Sequence, residues 1–416
     1  MRVSLRTVVP FVLVAIASVG ACVGDDPAVV GGPQDERDGG PSSSEPDGGT
    51  PTDDAGGSTP EGGASCTAPL ADCNGDGVCE TSLVSDPENC GACDHDCGAG
   101  GTCTASECQP VTLAKSLTGA VSVAVNASAL VVLKEGGPGV CPKDGCGASS
   151  PTSLVSGEYV PSAPHTIYVD AVNAYWLGKQ AAAGFEYALR KCAIAGCGLA
   201  PTSIDDAQIG AEMRGEGNAV LRYDETGSLS KIYVDGSKAK EYLTTPYRPS
   251  SFRFALASGK MAFSNTDGST GGNAGVWIGD FTNAVPTKIM NIGRLVAIAN
   301  GSVFASRPDD ATHDAIYVCP FAGCGGVGTK FGANGATTGT GKIADIAADA
   351  SGVYWVETIG QVGRVMRCTL PACAGGPKAL AVAQDKPVSI TLDDKFVYWV
   401  NAGASANNGA VLRVAK

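Results

Sequence analysis

Asp345-Ile346-Ala347-Ala348-Asp349-Ala350-Ser351-Gly352-Val353-Tyr354-Trp355-Val356 and Ser389-Ile390-Thr391-Leu392-Asp393-Asp394-Lys395-Phe396-Val397-Tyr398-Trp399-Val400 are two copies of one unit. Each reads as a strand, a tight turn holding Asp, and a second strand that carries Tyr-Trp. Thr166 to Leu177 matches them, with Asp170 in the turn and Tyr175-Trp176 beyond it. Weaker copies run through Val125-Asn126, Ile298-Ala299-Asn300 and Leu256 to Phe263. A third strand follows and leads into a cysteine, as in Leu189-Arg190-Lys191-Cys192 and Val365-Met366-Arg367-Cys368.

Working outward, units start near 119, 165, 213, 252, 294, 342 and 388, a period of about 45 residues. No long helical period separates them, so a parallel βαβ fold is not expected. Short strands at this period with a Tyr-Trp signature predict an all-β fold, a seven-bladed β-propeller over residues 109–416. The stretch from Gly217 to Tyr247 lacks cysteines and carries the weakest signature. The last unit reaches Lys416 after three strands, and Val111-Thr112-Leu113-Ala114 is a spare strand ahead of the first unit. That strand is expected to complete the last blade and close the ring, which removes a sheet edge.

The 17 cysteines divide as one, eight and eight. The last eight form four pairs with the spacing C-x4-C: Cys141 with Cys146, Cys192 with Cys197, Cys319 with Cys324, and Cys368 with Cys373. Each pair spans a turn with Pro or Gly, where Cα atoms approach within disulfide range. Local disulfides, pointing outward from the blades, are therefore expected. Paired thiolates on a metal would need two pairs to converge from different blades.

Eight more cysteines, Cys66, Cys73, Cys79, Cys90, Cys93, Cys97, Cys103 and Cys108, fill residues 66–108. That density in an exported chain is a disulfide framework whose connectivity is open, since eight cysteines allow roughly a hundred pairings. Cys90, Cys93 and Cys97 also have zinc-like spacing, which an oxidising compartment disfavours. Asp72, Asn74 and Asp76, followed by Gly77, match the first half of a Ca²⁺ loop, while its twelfth position is Leu83 instead of Glu. The other reading of this stretch is an acidic turn. No other cofactor is indicated.

Residues 1–21 have a secretory signal's parts: Arg2 and Arg6, then an apolar run from Val8 to Val19, too short to span a bilayer. Val19-Gly20-Ala21-Cys22 resembles the bacterial lipobox. That resemblance implies cleavage before Cys22, lipidation of its thiol, and a stable membrane anchor. Val23 is not Asp, which by the same resemblance points to the outer membrane. Residues 22–65 are the lipidated Cys and a linker of Gly, Pro, Ser, Thr and acid, a composition expected to stay disordered. As a flexible coil the linker would reach roughly 35–40 Å.

Ten acids against one Arg lie in 23–65, and eight acids with no Lys or Arg in 66–108. Residues 109–416 hold 26 basic and 24 acidic residues. The net charge of −13 therefore belongs to the N-terminal quarter. The near-neutral repeat region gives no electrostatic footprint for nucleic acid.

Asn89-Cys90-Gly91-Ala92-Cys93, the Tyr-Trp units and the C-x4-C pairs together resemble myxobacterial-type lipoproteins that join a Cys-rich module to a propeller with such blades. The resemblance implies an envelope protein and carries no activity.

Of the three histidines, His95, His165 and His313, none has a partner His at metal spacing. No G-x-S-x-G, H-E-x-x-H or P-loop occurs. Asn126, Asp170, Asn300, Asp349 and Asp393 recur at one place in the repeat, which favours stabilising the turn over a ring of ligands. The Tyr-Trp pairs are expected to alternate between packed sheet faces and not to form a sugar-stacking platform. No catalytic residue is assigned. The expected function is a non-enzymatic binding or scaffolding module for a protein or glycan; the alternative is a propeller hydrolase or lyase acting on a polysaccharide or lactone. Carboxylates converging with a His at the channel mouth would favour the second.

Overall fold

The computed structural model describes residues 66–416, except 148, 162–164, 181–186, 208–211, 224–228, 244–251, 266–273, 281–285, 310–312, 332–340, 360–361 and 406. The signal, Cys22 and the linker to residue 65 lie outside the described residues. Among the described residues there is no helix, and so none long and apolar enough to cross a membrane.

Seven antiparallel sheets make a seven-bladed β-propeller. Within a blade the strands are labelled A to D in order of pairing. The seven A strands are Ser122–Val125, Ile167–Val169, Met213–Glu216, Phe252–Ala257, Val296–Ala299, Lys342–Ala348 and Pro387–Leu392. They neighbour one another around the ring and line its channel. The cysteine-free stretch is a complete blade, from Met213–Glu216 to Glu241–Leu243.

The spare N-terminal strand closes the ring. Val111–Leu117 pairs antiparallel with Gly409–Ala415 as strand D of blade 7, with Leu117 opposite Gly409 and Val111 opposite Arg413. A propeller closed this way leaves neither terminal strand with an unpaired inner edge.

The core is divided between blade interfaces, and the Tyr-Trp units show why. Successive residues of a strand face opposite sides of the sheet. Trp176 of blade 2 packs among Val131 and Leu133 of blade 1, while Tyr175 packs among Met213 and Val220 of blade 3. Trp355 of blade 6 faces Phe304 and Ile316 of blade 5, and Tyr354 faces blade 7. All six aromatic residues of the three clear units are buried. Their polar tips are satisfied. Tyr175 and Tyr398 donate to Asp170 and Asp393 at 2.6 and 2.8 Å, and the Trp Nε1 groups reach Glu158, Glu357 and Gln384.

All four C-x4-C pairs are disulfides: Cys141–Cys146, Cys192–Cys197, Cys319–Cys324 and Cys368–Cys373, with Cα atoms 4.9–5.5 Å apart. The first cysteine of each pair lies in strand C and the second in the loop beyond it. The bonds are local, as expected, but the expectation that they point outward needs correction. Each second cysteine turns back into the apolar cluster shared with the preceding blade. Cys146 joins Leu113 of blade 7, and its amide donates to Leu113 O at 2.8 Å. Cys197 joins Val131 of blade 1, Cys324 joins Ile278 and Ile289 of blade 4, and Cys373 joins Phe304 and Ile316 of blade 5. Cys373 is buried, and Cys146 and Cys324 are half-buried. A disulfide has no charge and no strong donor, so turning it toward an apolar neighbour removes it from water at little cost.

In the small module the bonds are Cys66–Cys79, Cys73–Cys93, Cys90–Cys103 and Cys97–Cys108. Cys90, Cys93 and Cys97 thus belong to three different disulfides and hold no thiolate for zinc.

The module does not stand apart from the ring. Its Cys90, Cys97, Cys103 and Cys108 share one buried cluster with Leu113, Phe396 and Trp399. Arg413 of blade 7, almost wholly buried, donates to Ala99 O of the module at 2.9 Å and to Asp144 of blade 1 at 2.7 Å. His95 Nε2 lies 2.9 Å from Lys416 O. Gly98 has φ +80°, and a Cβ there would stand 2.5 Å from the Phe396 ring. The sequence boundary at 108/109 is therefore not a packing boundary, because the module covers the seam where the ring closes.

Candidate functional site

The connections from strand D to the next strand A and the B–C turns open on one face of the propeller. There a cleft of about 700 Å³ crosses blades 4 to 6. Arg253 at the start of one A strand, Arg294 in the connection into blade 5 and Lys342 at the start of another A strand carry its charge. Ile292, Leu295, Pro308, Ile343 and Ala344 supply apolar surface. Ile292 is 56% exposed.

Asp314, whose side chain is fully buried, organises the cations. Its carboxylate takes Lys342 Nζ at 3.2 Å, Arg294 Nη1 at 3.4 Å and the Ile343 amide at 3.0 Å. Both cationic side chains remain 45% exposed.

Behind Arg253 the channel is crossed by a buried polar network. His165, just ahead of strand A of blade 2, puts Nε2 2.5 Å from Asp345 on strand A of blade 6. Arg214 of blade 3 bonds its Nδ1. An Arg can only donate, so Nδ1 accepts and the ring proton sits on Nε2, directed at Asp345. Asp345 also accepts from the amides of Ile346 and Ile390 at 2.9 and 2.7 Å. Glu212 lies 3.1 Å from Arg214 Nη2 and 3.8 Å from Arg253 Nη1, with neither oxygen in a directed side-chain hydrogen bond.

The environment sets these groups' charges. Burial, then the charge of Arg214, outweighs Asp345 and holds His165 down at about 4. Burial lifts Glu212 to about 7, against the pull of Arg214 and Arg253. A His and two carboxylates therefore do converge at the channel. Yet His165, Glu212 and Asp345 are all buried, and both His165 ring nitrogens are engaged. The arrangement ties blades 2, 3 and 6 across the channel.

Sequence reasoning picked out His165 only as a lone histidine, and missed its partners because they come from other blades. One signal was present. Asp345 stands where the matching units have Thr166 and Ser389, an acid in place of a hydroxyl at a buried inner position.

The turn residues act locally. Asp170 accepts from the amides of Val172 and Asn173 and from Tyr175, and these bonds outweigh burial to hold its carboxyl below the ordinary range. Asp393 does the same in blade 7; in blade 6 Asp349 accepts from the amides of Ser351 and Gly352 and from Ser351 Oγ, while Tyr354 OH meets Ser351 Oγ; Asn126 and Asn300 reach the neighbouring blade's turn, at Asp170 O and Ala350 O.

In the small module, Asp72 accepts from the amides of Gly75, Asp76 and Gly77, and Asn74 from that of Asp76. The carboxylates of Asp72, Asp76 and Glu80 lie within 4.8 Å of one another. Glu80 occupies the ninth loop position, a residue the sequence reading passed over. These three are the oxygen donors that would face a hard cation.

No protein-family description matches the chain. No curated protein matches it in sequence. Solved structures do match in shape. "YCF48 bound to D1 peptide" aligns at TM-score 0.53 and 9% identity, over 74% of this chain and 96% of that one. The WD40 β-propeller domain of Doa1 aligns at 0.49 and 10%, over 74% and 96%. BamB from Moraxella catarrhalis aligns at 0.42 and 8%, over 71% and 83%. At such identities the likeness shows the fold alone.

Proposed function

We propose that the protein is an exported lipoprotein, held to the outer membrane by lipid on Cys22, whose propeller is a non-enzymatic binding or scaffolding module for a protein or glycan ligand. The sequence resemblance to myxobacterial-type lipoproteins supports the anchor. The cleft supports the binding role. It places partly exposed cations and apolar side chains around an open groove, while His165, Glu212 and Asp345 are buried. The structurally similar YCF48 is bound to a peptide, which agrees with a protein ligand without arguing for the same one.

The second reading, a hydrolase or lyase, draws on His165 beside Asp345 and Glu212. The full chain would be applied to glycan and peptide arrays and, in parallel, incubated with polysaccharides and lactones. Binding without turnover is expected. Turnover that disappears in His165→Asn would reverse the order of the two readings. For the anchor, Cys22→Ser should move the protein from the membrane pellet to the soluble fraction; retention in the pellet would end that part of the proposal.

A further inference from the structure

Four positive side chains stand at or directly behind the cleft: Arg214, Arg253, Arg294 and Lys342. Among the described residues, the carboxylates paired with them include those of Glu212 and Asp314, both fully buried. The Asp314 carboxylate is buried while Arg294 and Lys342 are each 45% exposed, so a ligand meets positive charge first. Arg294 and Lys342 share the one carboxylate of Asp314, and each has further N–H donors than this contact uses.

The rest of the lining selects among anions. Ile292 stands exposed at one rim, and Leu295, Ile343 and Ala344 continue the apolar surface inward. The described residues that line the cleft are cationic, amide and aliphatic, and none of them is aromatic. A fully hydrated polyanion would lose water at this apolar wall without return. A peptide that alternates carboxylates with aliphatic side chains matches both surfaces, the carboxylates on Arg294 and Lys342 and the aliphatic groups on Ile292 and Leu295.

We propose that this cleft across blades 4 to 6 is the docking groove for an acidic, aliphatic peptide segment of a partner protein. The proposal rests on the binding reading above and narrows its ligand. The Asp314 carboxylate sets the spacing of the two outer cations, and Arg253 extends the positive edge toward the channel.

The probe is a fluorescein-labelled octapeptide alternating Asp and Leu, read by anisotropy with the full chain; its Asn-Leu counterpart is the control. The Asp-Leu peptide should bind, the Asn-Leu peptide at least tenfold more weakly, and added salt should weaken the first. Arg294→Gln and Lys342→Gln should each weaken binding about tenfold. Lys342→Arg, which keeps the charge above Asp314, should restore it and so separates lost binding from lost folding.

Equal binding of both peptides, or indifference to Arg294→Gln and Lys342→Gln, would overturn the proposal. So would binding that appears only after residues 23–65 are deleted, since the chain's own acidic segment would then be the occupant. Binding of an oligogalacturonate but not of the peptide also overturns it, while leaving the binding reading intact. Turnover with no binding of either probe removes both.

Discussion

Asp345 accepts hydrogen bonds from two amides and from His165, and the consequences are electrostatic. His165 is held at about 4, below its ordinary 6.5, and Glu212 at about 7, above its ordinary 4.5. Unfolding lets His165 take up a proton between those two values, so its contribution to stability grows as pH rises from about 4 to 6.5. Unfolding makes Glu212 release a proton, so its contribution shrinks as pH rises from about 4.5 to 7. Where the windows overlap the two oppose each other, and the native protein should show a shallow dependence of Tm on pH. Glu212→Gln leaves the histidine, so Tm should climb with pH in that window. His165→Asn leaves the glutamate, so Tm should fall. Thermal melts of the three proteins between about pH 4.5 and 6.5 check this, and parallel profiles would refute it. None of this was legible beforehand, because a pKa depends on neighbours that only the closed ring supplies.

At the scale of elements, the repeat was readable because each unit carries its own turn and its own aromatic pair. Asp170, Asp349 and Asp393 bond amides two and three residues on, a range the local sequence controls. The pairing within each C-x4-C loop is equally local, whereas the burial of Cys146, Cys324 and Cys373 against a preceding blade is not. Replacing Cys192 and Cys197 with Ser should cost at least about 2 kcal/mol, the chain entropy of so small a loop. Urea unfolding measures it; no change in midpoint would mean that hydrogen bonds alone hold the loop. The Asp72 loop is likewise closed by its own amide bonds. Adding EDTA is therefore expected to leave Tm unchanged, and a fall of several degrees would show a structural cation on Asp72, Asp76 and Glu80. The third blade was faint because Val220 and Leu221 do the work of Tyr and Trp there, and a small apolar pair leaves little signature.

For the whole molecule the decisive contacts join residues far apart in the chain. Val111–Leu117 pairs with Gly409–Ala415, and the Cys-rich module packs across the same seam through Arg413 and His95. Deleting residues 109–116 should lower Tm much more than deleting residues 23–65, because the first removes a strand of blade 7, Leu113 with it, and uncovers the apolar cluster that Leu113 packs in. Equal melting temperatures for the two truncations would mean that this strand does not hold the ring closed.

The sequence by itself determined the all-β class, the seven units, the turn acids, the C-x4-C pairing and the spare closing strand. Each of these follows from an alternation of apolar side chains, a turn preference or a spacing, all set by residues within a few positions of one another. Tertiary structure alone decided the pairing of the eight N-terminal cysteines, the merging of their module with blades 7 and 1, and the cationic cleft over its buried network. These depend on which A strands the ring brings together, so that Arg253, Arg294, Asp314 and Lys342 become neighbours across three blades. A chain read in order contains their identities but not their distances, and distance is what turns four scattered charges into a site.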